Sequence, residues 1–278
     1  MRGADRVRTV DRLRTVDRLR EGAGESAGAA DAGRYGRVRW LPLGGLILIQ
    51  IGYPLTHAGT RTGLVVATVV LGFAGSVGHA LATRGPRAAA ALVAVTGVGG
   101  LAVEALGLRT GFPFGGYGYS GALGPRLLGV PLVIPLAWTW MAWPAWLAAT
   151  LLARRGAARI AVAGFGLAAW DLFLDPQMVA DGYWHWRHPA PGLAGIPYTN
   201  DLGWLAVAVA MMALFAAVAG QRVRAGDRRA DAPMSALYLW TYLSSVLAHA
   251  VFLDLPVSAA AGAVGMGLVA IPLAVALW

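Results

Sequence analysis

There is no cysteine in this sequence and no lysine. The first absence removes disulfides, thiol nucleophiles, thiolate zinc sites and iron-sulfur clusters together. The second removes a lysine Schiff base, and with it a retinal-binding opsin. Charge is scarce too: Asp, Glu, Lys and Arg make up 13% of the chain against 57% hydrophobic residues, and mean hydropathy is +0.59. All 23 basic residues are arginine, and the net charge is +9. In a soluble domain that excess would suggest nucleic acid. Here the arginines flank long apolar runs, as they do at cytoplasmic helix ends, so no nucleic-acid partner is expected.

Eight apolar runs cover residues 40–56, 64–81, 88–108, 127–152, 160–174, 202–220, 237–253 and 257–277. Each approaches the ~20 residues a tilted helix needs to cross a bilayer. The expected fold class is all-α, a polytopic transmembrane bundle of eight helices, or seven if the short first run only dips in. Arg61 and Gly63 set the start of the second run. Alternate loops differ in arginine content. Arg34, Arg37, Arg39, Arg84, Arg87, Arg154, Arg155, Arg159, Arg222, Arg224, Arg228 and Arg229 fall on one side, and only Arg61, Arg109, Arg126 and Arg187 on the other. The positive-inside rule then puts both termini in the cytoplasm, in a multi-pass protein of the cell membrane. Residues 1–39, with the near-repeat D-R-V-R-T-V, D-R-L-R-T-V, D-R-L-R, read as an Arg-rich, disordered tail. Residues 40–278 read as one transmembrane catalytic domain with no convincing internal repeat.

Eight acidic residues follow position 40, and four of them, Asp171, Asp175, Asp181 and Asp201, fall between Trp170 and Trp204. The arginine-derived topology brings these, with Glu104, Asp254, His57 and His249, to the outer side. Ionisable groups at such depth are a functional-site hypothesis by default. Asp171 and Asp175, four apart, share one helical face, and two like charges that close make one a candidate proton donor. Glu104, in A-V-E-A-L-G-L, suits a general acid; its structural alternative is a partner such as Arg109. Asp175-Pro176 also reads as a helix end, and Asp201 as the cap of the next helix. The loop T-G-F-P-F-G-G-Y-G-Y-S (residues 110–120) reads as an interfacial aromatic belt or as a lip over a pocket that offers ring faces to a ligand. Asp181, His185 and His188 have the spacing of a metal-binding helix face, but Gly182 and Pro189 weaken that helix and no metal is expected. His79 reads as a packing residue. Trp138, Trp140, Trp143 and Trp146, with Pro131, Pro135 and Pro144, mark a kinked, aromatic fourth helix.

Five ordered motifs carry a resemblance: E-A-L-G-L-R-T-G-F-P-F-G-G-Y-G-Y (residues 104–119), L-G-P-R-L-L-G-V-P-L-V-I-P-L-A-W (123–138), W-D-L-F-L-D-P-Q-M (170–178), G-Y-W-H-W (182–186) and G-I-P-Y-T-N-D-L-G-W (195–204). Together they resemble the membrane-integral carotenoid biosynthesis family that includes the CruF-type carotenoid 1',2'-hydratases and the bisanhydrobacterioruberin hydratases. The resemblance implies addition of water across the terminal double bond of an acyclic carotenoid end group, without a cofactor. It makes Glu104, Asp171 and Asp175 the expected catalytic residues. Asn200 and Trp204 match its N-x-x-G-W element, whereas Asp201 departs from the apolar or aromatic residue expected there. The expected substrate contacts are Phe112, Phe114, Tyr117, Tyr119, Trp170, Tyr183, Trp184, Trp186, Asn200 and Trp204. The expected partners are the acyclic carotenoid, water, membrane lipid and other carotenoid-pathway enzymes. Two rivals stay open. D-L-F-L-D resembles the Asp-rich site of a membrane prenyltransferase, and a carotenoid-pathway scaffold or transporter is the non-enzymatic alternative.

Overall fold

The computed structural model describes residues 40–56, 58–188, 190–223 and 226–278; the Arg-rich tail, His57 and Pro189 lie outside them. Pro42–Trp278 is one compact unit. Its helices are α1 (Leu41–Gly52, ending in a 3-10 turn to Leu55), α2 (Ala58–Arg84), α3 (Pro86–Thr110), α4 (Val133–Leu152), α5 (Gly156–Ala180), α6 (Tyr198–Ala219), α7 (Arg228–Phe252) and α8 (Pro256–Leu277). All but α1 and α4 are long and apolar enough to cross a membrane, so this is a multi-pass membrane protein, and its described residues form the eight helices expected.

The helix α4 is the hub. Seventeen of its twenty residues are buried, and it packs against α2, α3, α5, α7 and α8. Two of its indoles are held by hydrogen bonds within the protein: that of Trp143 donates to His79 Nδ1 at 3.0 Å and that of Trp146 to the Val223 carbonyl, just beyond α6, at 2.8 Å. Trp140 is admitted because Gly72 has no side chain, since a Cβ there would lie 2.6 Å from the indole. Close approach through small residues is how helices associate where no hydrophobic force separates them from lipid. Gly164 does the same between α5 and α6, where a Cβ would come within 2.7 Å of Val209 Cα.

Several boundaries differ from the sequence reading. The helix α2 begins at Ala58 and runs through Arg61 and Gly63. The fourth helix begins at Val133, not Leu127, because Leu128 and Gly129, at φ of 55° and 90°, turn a two-residue hairpin between β2 (Arg126–Leu127) and β3 (Val130–Pro131). Asp175-Pro176 does not end the fifth helix, which continues to Ala180. Proline lacks the N–H that would bond the carbonyl four residues back, and that carbonyl, Leu172, accepts instead from the Ser258 hydroxyl of α8 at 2.7 Å. Asp227 caps α7 by accepting from the Arg229 N–H at 3.0 Å, so α7 starts nine residues before its apolar run.

The reading that no internal repeat exists is overturned. Strand β1 (Tyr117–Tyr119) pairs antiparallel with β4 (Trp184–Trp186), Gly118 opposite His185. Tyr117 and Tyr119 lie thirteen and fifteen residues after Glu104; Trp184 and Trp186 lie thirteen and fifteen after Asp171. Gly115 and Gly182, equivalent by that spacing, both have positive φ, 90° and 74°. The ladder is closed by matched bonds, Ser120 N–H to the Tyr183 carbonyl at 2.7 Å and Arg187 N–H to the Gly116 carbonyl at 2.8 Å. Each half continues into a hairpin of the same turn geometry, Leu128-Gly129 in one and Ala194-Gly195 (φ 52° and 81°) between β5 (Gly192–Leu193) and β6 (Ile196–Pro197) in the other. Each then enters a helix whose tryptophan, Trp138 or Trp204, stands seven residues after the strand proline. The two indoles stack face to face at 3.8 Å with their planes 8° apart. Thus α3–β1–β2–β3–α4 and α5–β4–β5–β6–α6 are two parallel copies of one unit, related by a half-turn through Gly118 and His185. Tyr replaces Trp and Glu replaces Asp between the copies, so equivalence is in size and chemistry rather than in letters.

Candidate active site

The half-turn brings the polar ends of both units to one place. Glu104 leaves the last turns of α3 and is 4% exposed. Its Oε2 accepts from the hydroxyls of Tyr117 at 2.5 Å and Tyr119 at 2.7 Å, and its Oε1 from the Trp138 indole at 3.1 Å. Arg109, the structural partner considered from sequence, is exposed instead. Strand alternation explains the phenols: residues two apart on β1 point to one face, and that face lies over the end of α3. Burial, and after it the neighbouring Glu104 carboxyl, push both phenols well above their usual pKa, so they act as O–H donors.

On the other wall, Asp171 and Asp175 stand one turn apart on α5, both buried. Asn200 of α6 joins them, its Nδ2 donating to Asp171 Oδ2 at 3.0 Å and to Asp175 Oδ2 at 2.5 Å. The Trp184 indole donates to Asp175 Oδ1 at 3.1 Å. Asp171 Oδ1 has no hydrogen-bond partner among the described residues. All the donors that hold these three carboxyls are neutral; among the described residues no arginine or histidine pairs with them.

Between the walls lies a chamber of about 30 Å³, lined by Glu104, Asp175, Asn200 and the rings of Phe114, Tyr117, Tyr119, Trp138, Trp184, Trp186 and Trp204. It shares Ile134, Ala137, Leu174 and Trp184 with a second, mostly apolar cavity of about 130 Å³ bounded by α1, α2, α4, α5 and α7.

Nine of the expected site residues therefore meet in the chamber: Glu104, Asp175, Phe114, Tyr117, Tyr119, Trp184, Trp186, Asn200 and Trp204. Asp171 binds Asn200 from behind rather than lining the chamber. Trp170 lines the apolar cavity. Tyr183 is buried against α2, its hydroxyl 3.0 Å from that of Thr62. Phe112 is 71% exposed and lines neither space. Asp181, His185 and His188 do not form a face: Asp181 pairs with Arg61 at 2.7 Å and accepts from the Tyr53 hydroxyl, while both histidines are exposed. Among the described residues no three His, Asp or Glu side chains are placed to hold a metal. His249 is buried away from the chamber on Ser258, and Asp254 is exposed. Asp201 sits inside the first turn of α6, not at its cap. Trp138, which the sequence marks only as part of an aromatic fourth helix, also lines the chamber.

Residues 45–271, which contain all of these groups, match the carotenoid biosynthesis protein family. The chain belongs to that family. As a carotenoid biosynthesis protein it is similar to bisanhydrobacterioruberin hydratase of Haloarcula japonica, at 39% identity over 124 residues, which are 43% of this chain and 41% of the relative. The match thus spans less than half of that enzyme. No solved structure matches the chain.

Proposed function

We propose that this carotenoid biosynthesis protein is a cofactor-independent hydratase that adds water to the terminal double bond of an acyclic carotenoid. The observation that supports it most is the shared wall of the two spaces: a linear polyene lying in the apolar cavity would present its end group to the carboxyls across Ile134, Ala137 and Leu174.

In this reading Asp175 is the acid. Glu104 already accepts from three donors through both oxygens, a coordination that suits a fixed carboxylate. Asp175 donates its proton to the alkene, forming a C–H bond and leaving a tertiary carbocation. The faces of Trp184, Trp186 and Tyr119 stabilise that cation, at ~2 kcal/mol or more per ring where water is excluded. Water adds its oxygen to the cation, and Glu104, oriented by Tyr117 and Tyr119, takes the proton released, giving a tertiary alcohol. The expected setting is the cell membrane with this end of the bundle facing outward, where an interface supplies water.

Expression in a lycopene-producing host, with chromatography and mass detection of the extracted carotenoids, tests the reading. A product heavier by one water that disappears with Asp175→Asn and with Glu104→Gln supports it. Lycopene and its elongated or desaturated acyclic relatives all returning unchanged from cells that contain the protein would sink it.

A further inference from the structure

The two repeats differ where the mechanism leaves a gap. If Asp175 gives a proton to carbon and Glu104 takes one from water, each turnover leaves Asp175 ionised and Glu104 protonated, and the acid has to regain a proton before the next turnover, across the chamber from Glu104 or from behind it. By the spacing of the two units, Glu104 corresponds to Asp171, whereas Asp175, Asn200 and Asp201 correspond to Leu108, Ile134 and Pro135. These three departures of the second unit from the first are all polar. Asp175 and Asn200 line the reaction chamber. Behind them a separate pocket of about 10 Å³ is lined by Asp171, Asp201 and Ser258, with Ala194 of the β5–β6 turn and Ala261 of α8. Asp201 is half-buried there, between the pocket and the surface.

Asp171 lines the rear pocket and meets the chamber through Asn200. It is 2% exposed, its Oδ2 is held by the same amide nitrogen that holds Asp175, and its Oδ1 is buried without a partner. A buried carboxyl oxygen left without a hydrogen bond costs free energy. The pocket beside it, at about 10 Å³, is at the ~10–15 Å³ needed to hold a single water. The Ser258 hydroxyl is spoken for, since it donates to the Leu172 carbonyl and accepts from His249 Nδ1. Water in this pocket therefore finds two open partners, Asp171 and Asp201.

We infer that this rear pocket is a water-binding proton port, through which Asp201 and then Asp171 return a proton to Asp175 after each turnover. The inference rests on the hydratase reading above. The balance is simple: one proton enters by Asp201, water and Asp171 to reprotonate Asp175, and Glu104 releases one to solvent through the chamber mouth. Asp171 and Asp201 act through Asp175 and touch no substrate, so they are positioning residues.

Rapid-mixing kinetics on the purified full chain in lipid nanodiscs, with lycopene as probe, tests this. Asp201→Asn removes the outer carrier, Ala261→Leu fills the pocket, and Ala260→Leu puts the same bulk on an exposed neighbouring position as a control. With enzyme equilibrated before mixing, both port variants should complete the first turnover within about twofold of the wild-type rate. Their steady-state turnover should then fall by about tenfold or more with KM little changed, so product appears as a burst of one per chain. Ala260→Leu should behave as wild type. The port is overturned if Asp201→Asn and Ala261→Leu turn over normally, or if first and later turnovers slow equally, as a packing defect would make them. Wild-type protein that forms no alcohol from lycopene or from its elongated and desaturated relatives contradicts the hydratase reading itself, a different outcome from an active wild type with unaffected variants.

Discussion

Both ends of the bundle bury carboxyls, and they treat them in opposite ways. Asp231, on α7, takes the Arg84 guanidinium at 2.6 Å, both side chains 7% exposed, with the His79 ring 3.9 Å away and Arg84 over the face of Trp143. Glu104, Asp171 and Asp175 at the other end are held by phenols, indoles and one amide. A cation fixes a carboxylate by neutralising it, which locks α2 to α7 and leaves little reactivity. Neutral donors fix position while leaving the oxygens free to give and take protons. The same residue type is thus a clasp at one end and an acid-base group at the other, and the partner decides which.

The sharpest way to break this comparison is to neutralise the acid end. Asp175→Asn or Glu104→Gln should cost roughly 10²–10⁴ in hydration rate, seen as loss of the alcohol in extracts, with the melting temperature nearly unchanged. Arg84→Ala should do the reverse. It leaves Asp231 buried without its cation, a loss of about 3–5 kcal/mol, so thermal unfolding should come earlier while turnover per folded chain stays normal. Removing one neutral donor is gentler: Tyr119→Phe takes one hydrogen bond from Glu104 and should slow turnover by about tenfold, the equivalent of ~1.4 kcal/mol. The smallest effect belongs to Arg109→Ala, which should leave rate and stability at wild-type values because Arg109 is exposed and Glu104 does not use it.

Much of this was legible from letters. Apolar runs bounded by arginines give the helices, because span length and charge are local properties. The clustering of Glu104, Asp171 and Asp175 at one end follows from alternation of crossings. Tyr117 and Tyr119 could be suspected, but their role could not, since it depends on a strand pair joining residues 67 positions apart, Tyr117 with Trp186 at one end being 69 apart. Pro176 misled because a proline ends a helix only when no outside donor satisfies the freed carbonyl, and Ser258 does. The apolar cavity draws its walls from five helices and has no signature in any one of them. The internal repeat was legible in principle, in L-G-V-P and A-G-I-P each followed seven residues on by a tryptophan. It went unread because Tyr for Trp and Glu for Asp hide the match. Its presence removes one argument against a transporter, in which repeats are common; the other stands, because the carboxyls lie at one end of the bundle and not at its middle.

The most direct test of the account uses purified protein in lipid nanodiscs, treated with a chelator and supplied only with an acyclic carotenoid and oxygen-labelled water. The account predicts a tertiary alcohol that carries the label, formed by the wild-type chain and not by Asp175→Asn. An alcohol whose oxygen comes from dissolved oxygen, turnover that requires added metal or diphosphate, or undiminished product from Asp175→Asn would contradict it.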